Sequence, residues 1–109
     1  MSRPPLSCAA VQLLRSLVAR GGLDADRMSV GRFLSVDWQS LTFTGERHEL
    51  CLQLIGPDAA TALALLRDQL SEVEWQLCGH VVADILIVGE TTASDGSIMV
   101  EIEALTLTD

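Results

Sequence analysis

Pro57-Asp58-Ala59-Ala60-Thr61-Ala62-Leu63-Ala64-Leu65-Leu66-Arg67-Asp68-Gln69-Leu70-Ser71-Glu72-Val73-Glu74-Trp75-Gln76-Leu77 is the stretch on which the fold turns. Ala59, Leu63, Leu66, Leu70, Val73 and Leu77 recur at helical intervals, so an amphipathic helix is expected from about Pro57 to Leu77. Arg67, Asp68, Ser71, Glu72 and Glu74 then face water. Gly56 halts the preceding segment, Pro57 suits a first helical turn, and Asp58 lies at the positive end of the helix dipole.

On either side the period drops to two. Upstream, Leu34, Val36 and Trp38 share one face, followed by Leu41 and Phe43 after a bulge expected at Gln39-Ser40. Thr44-Gly45-Glu46 reads as the turn, and Leu50, Leu52 and Leu54 as the inward face of the returning strand. Downstream, Gly79 turns the chain into Val81–Val88, apolar on both faces except at Asp84, the pattern of a strand central in its sheet or covered by a partner. Ser94-Asp95-Gly96-Ser97 has hairpin chemistry. The last strand points Ile98, Val100 and Ile102 inward against Glu101 and Glu103, with a shift expected at Ala104-Leu105.

Near the N-terminus, Ser7 can cap a helix in which Leu6, Ala10, Leu13, Leu14, Leu17 and Val18 form the apolar stripe, ended by Gly21-Gly22. Gln12 and Arg15 interrupt its apolar run, which favours an amphipathic helix over a signal peptide. Residues 1–6 are expected to be flexible and residues 23–31 to form a loop. The 109 residues therefore read as one α+β domain, helix-hairpin-helix-hairpin, with an antiparallel four-stranded sheet and two helices packed on one face.

Composition narrows the function. Apolar residues make up 49% of the chain, enough to build a core, whereas aromatic residues at 4% argue against a base-stacking nucleic-acid module. Residues 1–54 hold six Arg and five acids, a net of +1; residues 55–109 hold one Arg and ten acids, a net of −9, together the −8 of the whole chain. Lysine is absent. So acidic a half repels a phosphate backbone, because nucleic-acid affinity comes chiefly from cations that displace counterions. Cys8, Cys51 and Cys78 are an odd number without close spacing, as expected of reduced thiols in a cytoplasmic setting. No apolar run has the length needed to span a membrane.

His48, Cys51, Cys78 and His80 are residue types that bind zinc. However, His48 and Cys51 are three apart on a strand and point to opposite faces, and no tight Cys pair exists, so turn and sheet roles with ordinary hydrogen bonds are favoured. His48 and His80 as bases, with Ser94 or Cys78 as nucleophile, lack a nucleophile elbow or a Gly-rich phosphate loop, so no enzyme activity, cofactor or metal is expected. Trp38 and Trp75 are packing anchors or interface hot spots. Glu101 and Glu103 form either a solvated face or a row turned towards a neighbour or a lumen. Trp38, Arg47, Glu49, Asp84, Glu101 and Glu103 are the candidate oligomer or lumen surface.

Asp37-Trp38-Gln39-Ser40, Gly45 with Glu46 to His48, Leu50 and Leu52, Leu77-Cys78-Gly79-His80-Val81, Glu90-Thr91, Asp95-Gly96 and Ala104-Leu105-Thr106 come in an order and spacing that resemble the tail-completion or tail-terminator family of long-tailed bacteriophages and gene transfer agents. The resemblance spans roughly residues 35–109. It implies a structural subunit made in the bacterial cytoplasm and built into the virion tail, where a six-membered ring of copies caps the tail tube. The implied partners are further copies of the chain, the tail-tube protein and a head-side connector, with DNA passing through without specific binding. Without the resemblance, the same topology would serve a small cytoplasmic ligand-binding or regulatory α+β domain acting as a dimer.

Overall fold

The structure, a computed structural model, describes residues 7–21, 28–72, 76–77 and 79–108. Seven elements follow in order: α1 (Cys8–Gly21), β1 (Met28–Gln39), β2 (Thr44–Leu54), α2 (Ala59–Glu72), β3 (Gln76–Leu77), β4 (His80–Thr92) and β5 (Ile98–Thr108). The strands form one antiparallel sheet in the order β1-β2-β5-β4-β3. Four of them are long; β3 adds only two residues, beside His80 and Val81.

Strict alternation in the two central strands decides where the core sits. Leu50, Leu52 and Leu54 of β2 and Ile98, Val100, Ile102 and Ala104 of β5 are buried, and they share one cluster with Leu13 and Leu17 of α1 and Ala59, Ala62, Leu63 and Leu66 of α2. Their neighbours in sequence, such as Met99 and Glu101, are exposed on the opposite face, as a period of two requires. Two hairpins, β1–β2 and β4–β5, are thus joined along β2 and β5 into a sheet with one buried and one open face.

Local chemistry closes the turns and caps. Ser7 Oγ accepts the Ala10 amide at 3.1 Å and the Ser7 carbonyl accepts Val11 N–H at 3.0 Å, so Ser7 caps α1. Ser7→Ala should cost about 1 kcal/mol, measured by urea denaturation, because one of the first-turn amides loses its acceptor. Between β4 and β5, Gly96 adopts φ +89°, and Asp95 Oδ1 accepts both the Ser97 amide (2.9 Å) and the Ser97 hydroxyl (2.6 Å). These bonds, the hydroxyl first, hold the Asp95 carboxyl below its usual range.

Several sequence expectations change. The second helix runs from Ala59 to Glu72 rather than from Pro57 to Leu77: Asp58 precedes it and its carbonyl accepts Ala62 N–H at 2.9 Å, while Gln76–Leu77 pair with β4 as a strand. Val73, Glu74 and Trp75, like Cys78, lie outside the described residues, as do 1–6 and 23–27. Residues 28–31, expected in a loop, open β1; the bulge falls at Gly31 and not at Gln39-Ser40. The turn is Ser40–Phe43, where Ser40 N–H donates to Phe43 O (2.8 Å) and Ser40 Oγ accepts Phe43 N–H (3.1 Å); Leu41 is fully exposed and Thr44 already pairs with Gln39. No shift occurs at Ala104-Leu105, since the alternation continues to buried Thr106.

Candidate functional site

The open face is a grid set by register. Successive rows across β1, β2, β5 and β4 read Trp38-Gly45-Leu107-Val81, Val36-Arg47-Leu105-Asp84 and Leu34-Glu49-Glu103-Leu86; Arg32-Cys51-Glu101 continue beside Gly89. All six candidate surface residues, Trp38, Arg47, Glu49, Asp84, Glu101 and Glu103, have the parity of this face. Trp38, Glu49 and Glu103 are half-buried there; Arg47, Asp84 and Glu101 are exposed.

The flanks of the grid are apolar. Leu34 and Val36 on β1 are 49% and 54% exposed, and Leu86 and Val88 on β4 are 42% and 46% exposed. β4 is therefore apolar on both sides for two reasons: Val82, Ile85 and Ile87 pack against the core, while Leu86 and Val88 face outwards. It is not central, for among the described residues its only neighbour besides β5 is the short β3.

Charge is polarised across the grid. Arg32 and Arg47 lie on the β1–β2 side, whereas Asp84, Glu101 and Glu103 lie on the β4–β5 side; the imbalance between the halves of the sequence becomes a lateral one. Glu49 faces Glu103 directly across β2 and β5, a like-charge pair that opposes the strand pairing. Among the described residues none of Arg32, Arg47, Asp84, Glu101 and Glu103 forms an ion pair. Arg32, not among the candidates, could have been placed only by knowing that the strand begins at Met28 and bulges at Gly31.

The buried face holds a polar relay that the sequence conceals. His48, fully buried, bonds through Nδ1 to Ser35 Oγ (2.7 Å) on β1 and through Nε2 to Thr106 Oγ1 (2.8 Å) on β5. Thr106 in turn donates to the Glu46 carbonyl at 3.5 Å, so its oxygen accepts Nε2–H, and Nδ1 accepts the Ser35 hydroxyl proton. Phe33 meets the imidazole edge-on, with ring centroids 5.9 Å apart. Burial pushes the His48 pKa down, with Glu46 pulling it up and His80 adding to the fall. Cys51, half-buried, points to the other face, so His48 and Cys51 are not brought together.

A cleft of about 460 Å³ at the β1–β2 turn end of the sheet is lined by Asp37, Glu46, His80 and Thr106, among others. Its walls mix polar and apolar surface, with the polar share somewhat larger. Among the described residues no group of three His, Cys, Asp or Glu side chains is placed to hold a metal, and no helix is long and apolar enough to cross a membrane. Comparison with protein-family models, curated proteins and solved structures finds no match to this chain.

Proposed function

We propose that this chain is a structural subunit of a phage-like particle, a tail-terminator-like protein whose copies close into a ring on the end of a tail tube and join it to the head. The observation that carries this reading is the pair of sheet edges. Among the described residues β1 along its length, and β4 from residue 82 to residue 92, have a neighbour on one side only. With β1, β2, β5 and β4 alternating in direction, the two outer strands run in opposite senses. Rotation about an axis parallel to the strands then sets β4 of one copy antiparallel to β1 of the next, a head-to-tail contact of the kind that closes rings. The lateral polarity suits it, because the arginine-bearing side of one copy meets the acidic side of its neighbour.

In this arrangement both helices cover the outer wall and the open face lines the lumen. Six copies of four strands at about 4.8 Å spacing would enclose a passage about 37 Å across between backbones. Carboxylates of Asp84, Glu101 and Glu103 outnumber Arg32 and Arg47 there, which denies a passing phosphate backbone the cation sites it needs to stick. The tail-tube protein and a head-side connector are the partners of the two rims. The test is assembly with tail tubes: ring-shaped caps of six copies seen by electron microscopy are expected, and tubes that stay bare in the presence of the folded chain would sink the reading.

A second reading, a small ligand-binding or regulatory domain, draws on the cleft beside Asp37, Glu46 and His80. The cleft is open to solvent on one side, unlike the enclosed pockets that bury most of a small ligand.

A further inference from the structure

We propose that successive copies join in one register: residues 83–90 of β4 in one copy pair antiparallel with residues 30–37 of β1 in the next, so that Leu34 lies beside Leu86 and Arg32 closes on Glu101. The partner, a second copy meeting edge to edge, rests on the ring reading. The register, which that reading leaves open, rests on the bulges, the charges and one glycine.

Two edges that meet in this sense can slip only in steps of two residues, because a slip of one turns every side chain to the wrong face. The bulges single out one step. On β1 the extra residue, Gly31, falls between Val30 and Arg32; on β4 the extra residue, Val88, falls between Ile87 and Gly89. Through β2 and β5, Val30 shares a row with Glu90, and Phe33 with Ile87. Between those rows each edge strand holds two residues where each central strand holds one, so the edges match one to one and neither bulge is left unopposed. A slip of two would set each bulge against regular strand.

Charge rejects the same slips. In the proposed register Asp84 extends the next copy's Val36–Arg47 row and Glu101 its Arg32–Cys51 row, so both acids look towards an arginine. Leu34 and Leu86 hold Glu49 of one copy and Glu103 of the other three strand spacings apart, about 14 Å. Slipping one way carries Glu101 to the Leu34–Glu49 row, and slipping the other way carries Asp84 there; acid then turns to acid. Gly89 lets Glu101 take part from one strand inside the edge. A Cβ on Gly89 would lie 2.7 Å from Glu101 Oε2, so the carboxylate lies over the glycine, and Gly31 of the next copy, opposite, leaves space for Arg32. On the other face, Phe33 of the incoming strand meets the groove of about 250 Å³ that Arg67, Leu70, Ile85 and Ile87 line beside β4.

The experiment is disulfide cross-linking of the purified full chain at high concentration, with circular dichroism to confirm that each variant is folded. Within one copy Leu34 and Leu86 are about 14 Å apart, beyond the reach of a disulfide, so a bond between cysteines at these positions joins copies. Leu34→Cys with Leu86→Cys should give a ladder of linked copies. Val36→Cys with Leu86→Cys and Leu34→Cys with Asp84→Cys, which report the two slips, should give about tenfold less. Arg32→Glu and Glu101→Arg, each added to the first pair, should lower its yield about fivefold, and together restore most of it because the charges are again opposite. A ladder that favours a slipped pair, or a folded chain that gives none above the unsubstituted protein, would overturn the proposal. So would linked dimers from Leu86→Cys alone, the mark of like edges meeting. Rings of six, seen by electron microscopy, that cross-link only at a slipped pair overturn the register and leave the ring reading standing; a Leu34–Leu86 ladder that runs past six into open chains upholds the register and sinks the ring.

Discussion

Gly45→Ala should remove a large part of the stability of this domain. A Cβ on Gly45 would collide with the Thr106 carbonyl oxygen and lie 3.0 Å from Leu107 Cα, both backbone atoms of β5. A flexible side chain could swing away, but a paired strand cannot, so β2 and β5 must separate at the seam that joins the two hairpins. Overpacking a tight core commonly costs 1–3 kcal/mol, and a clash against backbone belongs at or above the top of that range: about 3 kcal/mol or more is expected out of the 5–15 kcal/mol of a typical domain. Urea denaturation provides the measurement. A Gly45→Ala chain within about 0.5 kcal/mol of the original would mean that the strands do not approach so closely.

His48→Ala is the second large effect, with an expected loss of about 3 kcal/mol. The substitution empties a fully buried site and leaves Ser35 and Thr106 hydroxyls without their partner, so cavity and unmade hydrogen bonds add. The original chain should also show a pH signature. With the folded His48 pKa below its ordinary 6.5, the unfolded chain binds the proton first as pH falls. This contribution is therefore fully present above about pH 6.5 and is lost as pH drops towards the folded value, with Glu46 and His80 tuning its position. Tm should decline from pH 7.5 to pH 5.5, before most carboxylates titrate. His48→Gln, which keeps hydrogen-bonding capacity without titrating, should flatten that decline; an unchanged slope would assign it elsewhere.

The α+β character and the inward residues of β2 and β5 were legible because period two persists through Leu50, Leu52 and Leu54 and again through Ile98, Val100 and Ile102. The same parity put His48 inside, but its partners depend on register, which no local pattern carries: Ser35 is thirteen residues away and Thr106 fifty-eight. Helical spacing at Val73 and Leu77 made the second helix look longer than Glu72, since an apolar residue in a short strand beside β4 looks the same as one on a helical stripe. The early turn was missed for a related reason. Thr44-Gly45-Glu46 has turn composition, yet Gly45 serves close strand approach, whereas Ser40 makes the loop with its own hydroxyl. The outward parity of Glu101 and Glu103 followed from their alternation with Val100 and Ile102, while the apolar flanks beside them depended on knowing that no helix among the described residues covers that side.

The bulges have a consequence of their own. β4 takes thirteen residues to run beside the eleven of β5, with extra residues at Ala83 and Val88, whereas β1 has one bulge at Gly31. Its rim is therefore bent in two places and the opposite rim in one. Like rims cannot be laid together over their full length without leaving backbone groups unmatched, which discourages the indiscriminate sheet growth that flat, regular edges invite. A chain whose rims are bent in this way has a physical reason not to set into fibres.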